Sequence, residues 1–66
     1  MTKDQRQAID EGIDKLGGFV AAAAHFQVTL AAIGNWRKRG LPLKRLKQFV
    51  KATGVSRERL RPDLYA

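Results

Sequence analysis

The chain has 66 residues, of which 13 are Lys or Arg and 6 are Asp or Glu, giving a net charge of +7 at pH 7. This length predicts one small domain over residues 1–66. The sequence has no cysteine and one histidine, which excludes a disulfide scaffold and structural zinc, iron–sulfur or redox roles. We therefore expect no metal site and no cofactor.

The sequence contains no segment typical of a membrane or exported protein. The longest apolar stretch, Gly17 to Ala24, is far shorter than the roughly 20 residues that a membrane span needs. No charged-then-apolar signal segment opens the chain. These observations predict a soluble, cytoplasmic protein with no membrane partner.

The charge is unevenly distributed along the chain. Residues 1–36 carry three basic and four acidic residues, whereas residues 37–66 carry ten basic and two acidic ones. A basic excess confined to one half of a small domain is typical of a surface that binds a polyanion, most simply nucleic acid. A basic surface that serves only solubility is the alternative.

The first helix is predicted from about Lys3 to Leu16. Thr2 followed by Gln5 matches the capping box that satisfies the orphan backbone donors of a first turn. Gly17 is expected to end the helix in a left-handed conformation. The apolar stripe, with spacings of four and three residues, consists of Ile9, Ile13 and Leu16.

Two further helices follow with a short turn between them. The second, over about residues 18–26, is rich in alanine and can pack closely against a neighbour. Thr29 is the next plausible N-cap, so Gln27 and Val28 must turn the chain before a third helix ending near Arg39.

The remaining signals predict a fourth helix and a last short turn. Gly40 ends the third helix, and the fourth runs from about Leu43 to Thr53 with Gly54 after it. Ser56 can cap a final turn from Arg57 to Leu60. Strand signals are nearly absent, so we predict an all-α, compact bundle of about five short helices.

The segment from Phe19 to Lys38 has the spacing of a helix-turn-helix, with a supporting helix at about 18–26 and a recognition helix at about 29–39. Ala23 lies where only a small side chain fits between the two helices. The predicted core includes Ile9, Ile13, Leu16, Ala23, Phe26, Val28, Ile33, Trp36, Leu46, Phe49 and Val50.

The outward face of the recognition helix supplies the candidate base-reading residues, Thr29, Leu30, Ala31, Gly34, Asn35 and Lys38. The Asn35 amide can donate and accept at adenine, while Leu30 and Ala31 either contact thymine methyl groups or are merely exposed. Gly34 lowers the stability of its helix. Its presence would be explained by a close approach of the backbone to DNA or to another helix, or it is simply tolerated by a well-packed fold.

Basic residues around the end of the recognition helix are the candidate phosphate ligands, because such contacts fix register without reading sequence. The residues concerned are Arg37, Arg39, Lys44 and Lys47. Trp36 could stack on bases in a single-strand binder, but its spacing from Ile33 favours the core.

Three segments carry a resemblance to a known family: GGFVAAAAHF, VTLAAIGNWRKRGLP and KATGVSRERLRPDLY. In these segments the chain resembles the small Cro/CI-like phage and prophage repressors, in particular the YdaS-like branch, whose members are often described as antitoxins. The resemblance implies a lambda-repressor-like fold and binding of two protomers to a pseudo-palindromic operator in the bacterial cytosol. The Leu30–Arg39 helix would lie in the major groove, and the protein would be associated with the nucleoid when bound.

The sequence departs from this family at two positions. The family's turn usually has Gly where this chain has Gln27, at a point that needs a left-handed backbone. A Gln that grips a phosphate is common at the start of the supporting helix, where this chain has Phe19.

No arrangement of residues suggests an enzyme or a small-molecule substrate. Two classes of binding function remain open. We predict a sequence-specific duplex-DNA-binding regulator, more consistent with a repressor than an activator. The alternative is an antitoxin-type module that binds an acidic partner protein. Binding of RNA or of single-stranded DNA is a third hypothesis, which the sequence disfavours.

Because one recognition helix contacts few base pairs, we also expect a weak homodimer. It would form through the C-terminal residues Leu60, Pro62, Leu64 and Tyr65, unless that tail folds back on its own domain.

Overall fold

The computed structural model describes residues 1–65 of the chain. Within this range it contains six helices and no strand, which confirms the predicted all-α bundle. None of the helices in residues 1–65 is long and apolar enough to cross a membrane. The helices are α1 (Lys3–Lys15), α2 (Phe19–Phe26), α3 (Leu30–Arg39), α4 (Leu43–Thr53), α5 (Arg57–Leu60) and α6 (Pro62–Tyr65).

The signals at the helix ends act as predicted. Thr2 Oγ1 accepts the Gln5 N–H at 3.1 Å, and Gln5 Oε1 accepts the Thr2 N–H at 3.0 Å, which completes the capping box of α1. Gly17 after α1 has φ of 104° and Gly54 after α4 has φ of 77°. These left-handed conformations favour glycine because it has no Cβ to clash with the backbone.

The sixth helix was not predicted. It is a single turn in which the Tyr65 N–H donates to the Arg61 carbonyl at 3.1 Å, and it begins at Pro62, whose fixed φ suits a first helical position. One turn contains no repeated apolar spacing, so the sequence pattern carries no signal for it.

Three aromatic side chains form the centre of the core. The ring centroids of Phe26, Trp36 and Phe49 lie between 5.5 and 6.4 Å apart. Trp36 is only 5% exposed, which confirms its predicted place in the core and is inconsistent with an exposed stacking platform.

The edge of the predicted core needs correction. Leu16, Val28 and Val50 are only partly buried and pack against the outside of the cluster. Leu41 and Val55, which the predicted core did not include, are almost completely buried. Both lie in connections between helices, where side chains follow no helical period. For Val55 a different signal exists, because the residue after a glycine cap commonly makes a hydrophobic contact with its helix.

Gly12 allows α1 to pack directly against α4. A Cβ atom at this position would clash with Cε1 and Cζ of Phe49 and would lie 3.1 Å from Cγ2 of Thr53. Thr53 is itself fixed, since its hydroxyl donates to the Phe49 carbonyl at 2.8 Å and accepts the Val55 N–H at 3.1 Å. The helix pair therefore requires glycine at position 12.

The C-terminal segment, residues 57–65 with α5 and α6, folds back onto α1. Leu60 is completely buried, and its carbonyl accepts a hydrogen bond from Gln5 Nε2 at 3.1 Å. Tyr65 packs partly buried against the same core, whereas Leu64 is 48% exposed. Of the four C-terminal residues considered for a dimer contact, Leu60 is therefore part of the core of its own chain, whereas Leu64 remains exposed.

Candidate nucleic-acid interface

α2 and α3 are joined by a tight three-residue turn, 27–29. Gln27 is in the left-handed region, with φ of 56° and ψ of 47°, as predicted for this position. The Val28 N–H then donates to the Ala23 carbonyl at 2.9 Å, which closes the end of α2. Thr29 Oγ1 accepts the Ala32 N–H at 3.1 Å and so caps α3.

The outward face of α3 is open to solvent. Leu30 is 53% exposed, and Ala31, Asn35 and Lys38 are also exposed. Asn35 makes no side-chain hydrogen bond within residues 1–65, so its amide is available to a ligand. All six predicted base-reading residues belong to α3 or its N-cap, and five of them are exposed, Gly34 alone being half-buried.

Gly34 is not explained by packing inside the protein. A Cβ atom built at this position meets no heavy atom within 4 Å, in contrast to Gly12. Gly34 instead lies in a shallow notch on the surface, lined also by Arg6, Arg37 and Lys38. Of the two close approaches that could explain this glycine, approach to another helix of the same chain is excluded.

Within residues 1–65, ion pairs occupy four of the ten basic residues in the C-terminal half of the chain. The paired arginines are Arg37, Arg57, Arg59 and Arg61. Their carboxylate partners are Asp4, Asp10, Glu11, Glu58 and Asp63. Much of the acidic charge of α1 is thus compensated within the fold, which the summed charge of the sequence did not indicate.

The remaining basic residues of this half have no carboxylate within 4 Å among residues 1–65. All of them lie at the end of α3 or along α4, and we refer to them as the α3–α4 basic segment. Its members are Lys38, Arg39, Lys44, Arg45, Lys47 and Lys51. The predicted phosphate ligands Arg39, Lys44 and Lys47 belong to it and are exposed.

Arg37 differs from the other predicted phosphate ligands because the fold already uses its charge. Its Nε lies 2.5 Å from Asp10 Oδ1, and its guanidinium lies over the ring of Phe19 with the Cζ atom 5.5 Å from the ring centroid. The hydrogen bond to Asp10 raises the pKa of Arg37 above its ordinary value. Arg37 therefore links α3 to α1, and Phe19 supports it.

Arg6 is a candidate contact that the sequence pattern did not identify. Its Nε donates to the Arg37 carbonyl at 3.3 Å, which brings this α1 residue to the notch beside Gly34. Arg6 lies 31 positions from Arg37, in the half of the chain with a slight acidic excess, so only the packing of α1 on α3 reveals this neighbourhood.

Comparison with protein families gives one match, to the family described as bacterial toxin YdaS, over residues 9–66. This range includes all of α2, α3 and α4 and most of α1. Comparison with curated proteins gives no match, and comparison with solved structures gives none either. The match confirms the resemblance to the YdaS-like branch, and the chain belongs to the bacterial toxin YdaS family.

Proposed function

We propose that this chain binds duplex DNA as a transcriptional regulator, acting as a Cro-like repressor of phage or prophage type. The observation that carries the proposal is the placement of charge. Arg37, Arg59 and Arg61 are held in close ion pairs, whereas the six residues of the α3–α4 basic segment have no carboxylate within 4 Å among residues 1–65. A polyanion is the ligand that best satisfies such a surface.

In this proposal α3 enters the major groove, led by its N-terminal end. Asn35 reads an adenine, and Leu30 and Ala31 contact thymine methyl groups. The Thr29 hydroxyl already accepts the Ala32 N–H, so its remaining O–H can donate to a phosphate or a base. Gly34 lets the backbone of α3 approach the DNA, consistent with the open space around it.

The phosphate contacts come from Arg39, Lys44 and Lys47, with Lys38 at the edge of the groove. Arg37 contributes by holding α3 on α1 through Asp10, and it contacts phosphate only with the outer part of its guanidinium. The proposed activity is binding, with no catalytic step, cofactor or small-molecule substrate.

We further propose that two protomers pair on DNA, with half-sites about 10 base pairs apart from centre to centre. One recognition helix contacts too few base pairs to distinguish an operator from competing genomic sites. Since Leu60 is buried, the pairing surface is reduced to Leu64 and its exposed surroundings. Such a small contact supports association on the operator and only a weak homodimer without it.

The proposal is tested by selecting bound sequences from a random duplex pool with the full chain. We expect enrichment of a pseudo-palindrome. The Asn35→Ala variant is expected to lose about 1 to 3 kcal/mol of discrimination at one adenine position in each half-site while its affinity for random DNA is unchanged. Equal losses on selected and random DNA, or no enrichment with the wild-type chain, would contradict the proposal.

An antitoxin-type interaction with an acidic protein is the second candidate function. The description of the family names a toxin, which is consistent with a small protein of a toxin–antitoxin type. A specific feature also favours it, because α4 and the C-terminal segment form an apolar groove with a basic rim.

A further inference from the structure

A groove between α4 and the C-terminal segment lies outside the outward face of α3. It has a volume of about 440 Å³. Its apolar lining is Leu43, Leu46, Val50 and the ring of Tyr65, and its charged lining is Lys47, Lys51 and Arg57. The charged residues of the lining are all basic. We propose that this groove binds an acidic, amphipathic helix of a partner protein.

The shape of the lining fits a helix. Leu43, Leu46 and Val50 are spaced by three and four residues on one side of α4, so they form an apolar stripe about 10 Å long over two helical turns, with Leu46 buried between two more exposed residues. Leu43 at one end is 59% exposed, which leaves that end open to a longer ligand. An apolar stripe of this kind is the usual counterpart of a second helix with leucines at matching intervals.

The charge of the rim selects an acidic occupant. Lys47 and Lys51 are exposed and have no carboxylate partner within residues 1–65. Arg57 lies over the Tyr65 ring at 4.6 Å, and its contact with Glu58, at 3.5 Å between exposed groups, compensates little of its charge. Glutamates on either side of an apolar stripe would face these three cations.

The same features disfavour two other occupants. A second copy of this chain, packed symmetrically, would place Lys47 and Lys51 opposite their own equivalents, which repel. A nucleic acid would pair its phosphates with the cations of the rim but would leave the apolar side chains of Leu43 and Val50 without an apolar partner. The acidic amphipathic helix satisfies both parts of the groove.

The inference deepens the second candidate function and does not depend on DNA binding. The probe is a synthetic helix of about 16 residues with leucines on one face and glutamates beside them. Titration into isotope-labelled protein is expected to give saturable changes in the NMR signals of Val50, Lys51 and Tyr65. One control peptide has the same composition with its leucines spread around the helix, and another has lysine in place of glutamate. Both are expected to bind far more weakly.

Two charge-reversal variants test the site itself. Lys51→Glu is expected to weaken binding of the acidic peptide about tenfold relative to Lys15→Glu. These lysines are a matched pair, because each is exposed and lies in the last turn of its helix. Both variants change the net charge equally, so a difference between them reports the groove and not the overall charge.

The outcomes separate this inference from the DNA-binding proposal. Equal weakening by the two variants, equal binding of the rearranged peptide, or signal changes centred on α3 would overturn the groove proposal. The peptide titration contains no DNA, so any change that either variant causes in DNA affinity leaves its result unaffected. Failure of the wild-type chain to bind DNA would contradict the proposed repressor function and leave the peptide measurement fully interpretable.

Discussion

Gln27 is the non-glycine residue with a positive φ within residues 1–65, and it holds the turn that sets α3 against α2. Its side chain is exposed and makes no hydrogen bond in the described part of the chain. No side-chain hydrogen bond of Gln27 therefore compensates for the strain of its left-handed backbone. It persists because the Val28 N–H bonds to the Ala23 carbonyl and Val28 packs against the core.

We predict that Gln27→Gly stabilises the protein by about 1 kcal/mol, because glycine adopts the left-handed conformation without a Cβ clash. The control is Gln27→Ala, which keeps the Cβ atom and so keeps the strain. Thermal and denaturant unfolding measure the difference. A glycine variant no more stable than the alanine variant would show that this turn is unstrained.

Substitution of glycine by alanine is expected to have opposite effects on stability at two helical positions, 12 and 34. Gly12→Ala gains helix propensity of about 1 kcal/mol but forces a methyl group into the Phe49 ring, so we expect a net loss of stability of about 1 to 3 kcal/mol. Gly34→Ala meets open space and is expected to gain about 0.8 to 1.0 kcal/mol. Unfolding midpoints of the two variants measured side by side check these signs.

Gly34→Ala also tests the proposed contact with DNA. If the backbone of α3 approaches DNA at this position, the variant is more stable than the wild type yet binds the selected duplex more weakly. An alanine variant with gained stability and undiminished DNA affinity would show that the glycine has no role in binding.

At the scale of elements, ion pairs connect α1 to the C-terminal part of the fold. Arg59 in α5 lies 2.5 Å from Glu11 Oε2 and 3.5 Å from Asp4 Oδ1. The hydrogen bond from Arg59 lowers the pKa of Glu11 below its ordinary value of 4.5. A carboxylate with a lowered pKa stabilises the folded state above its ordinary pKa, and this contribution is lost as the pH falls through the lowered value.

We therefore predict that Glu11→Gln makes the stability of the protein less dependent on pH in the acid range. In the wild type the unfolding temperature should decrease as the pH falls below 4.5, and the variant should show a smaller decrease over that range. Asp14→Asn removes the same charge from α1 at a residue with no ion pair among residues 1–65, and it serves as the control. If the variant at position 14 flattened the curve as much, the Glu11–Arg59 pair would not be the cause.

The sequence predicted the elements well because their signals are local. Thr2, Thr29 and Ser56 cap helices as expected. The left-handed conformation of Gln27 was expected from the family resemblance, because relatives usually have glycine there. The placement of Trp36 in the core follows from its helical spacing from Ile33. These inferences need only a few neighbouring residues.

What the sequence did not predict depends on contacts between distant residues. The burial of Leu41 is decided by the helices on either side of its connection, not by a period. The pairing of Arg37 with Asp10 spans 27 positions, so a basic run in the sequence looked uniform although one member is paired with a carboxylate. The position of Arg6 beside Gly34 has the same origin.

At the scale of the whole molecule, the basic charge divides into two groups with different roles. The arginines that pair with carboxylates hold α3, α5 and the C-terminal segment in place. The α3–α4 basic segment is available to a polyanion. A substitution in the first group is therefore expected to change stability, and one in the second to change ionic binding, even though both remove one positive charge.

The salt dependence of DNA binding measures the second group directly. If each protomer neutralises roughly four phosphates, the slope of log affinity against log salt concentration should be about −3 to −4 per protomer on B-form DNA. Charge reversal of Arg39 or Lys44 should weaken binding to all sequences alike, because phosphate contacts do not distinguish bases. DNA binding that does not respond to salt would contradict the proposed phosphate contacts.

A matched pair of variants tests which surface of the protein causes this salt dependence. Lys44→Gln in the first turn of α4 is expected to make the slope less steep by about 1, because one fewer counterion is released when the phosphate contact is lost. Lys3→Gln lies in the first turn of α1 and is likewise exposed and without an ion pair among residues 1–65, so it should leave the slope unchanged. Equal changes in the two slopes would mean that DNA senses only the net charge of the protein, and the assignment of the contact surface to the α3–α4 basic segment would then be wrong.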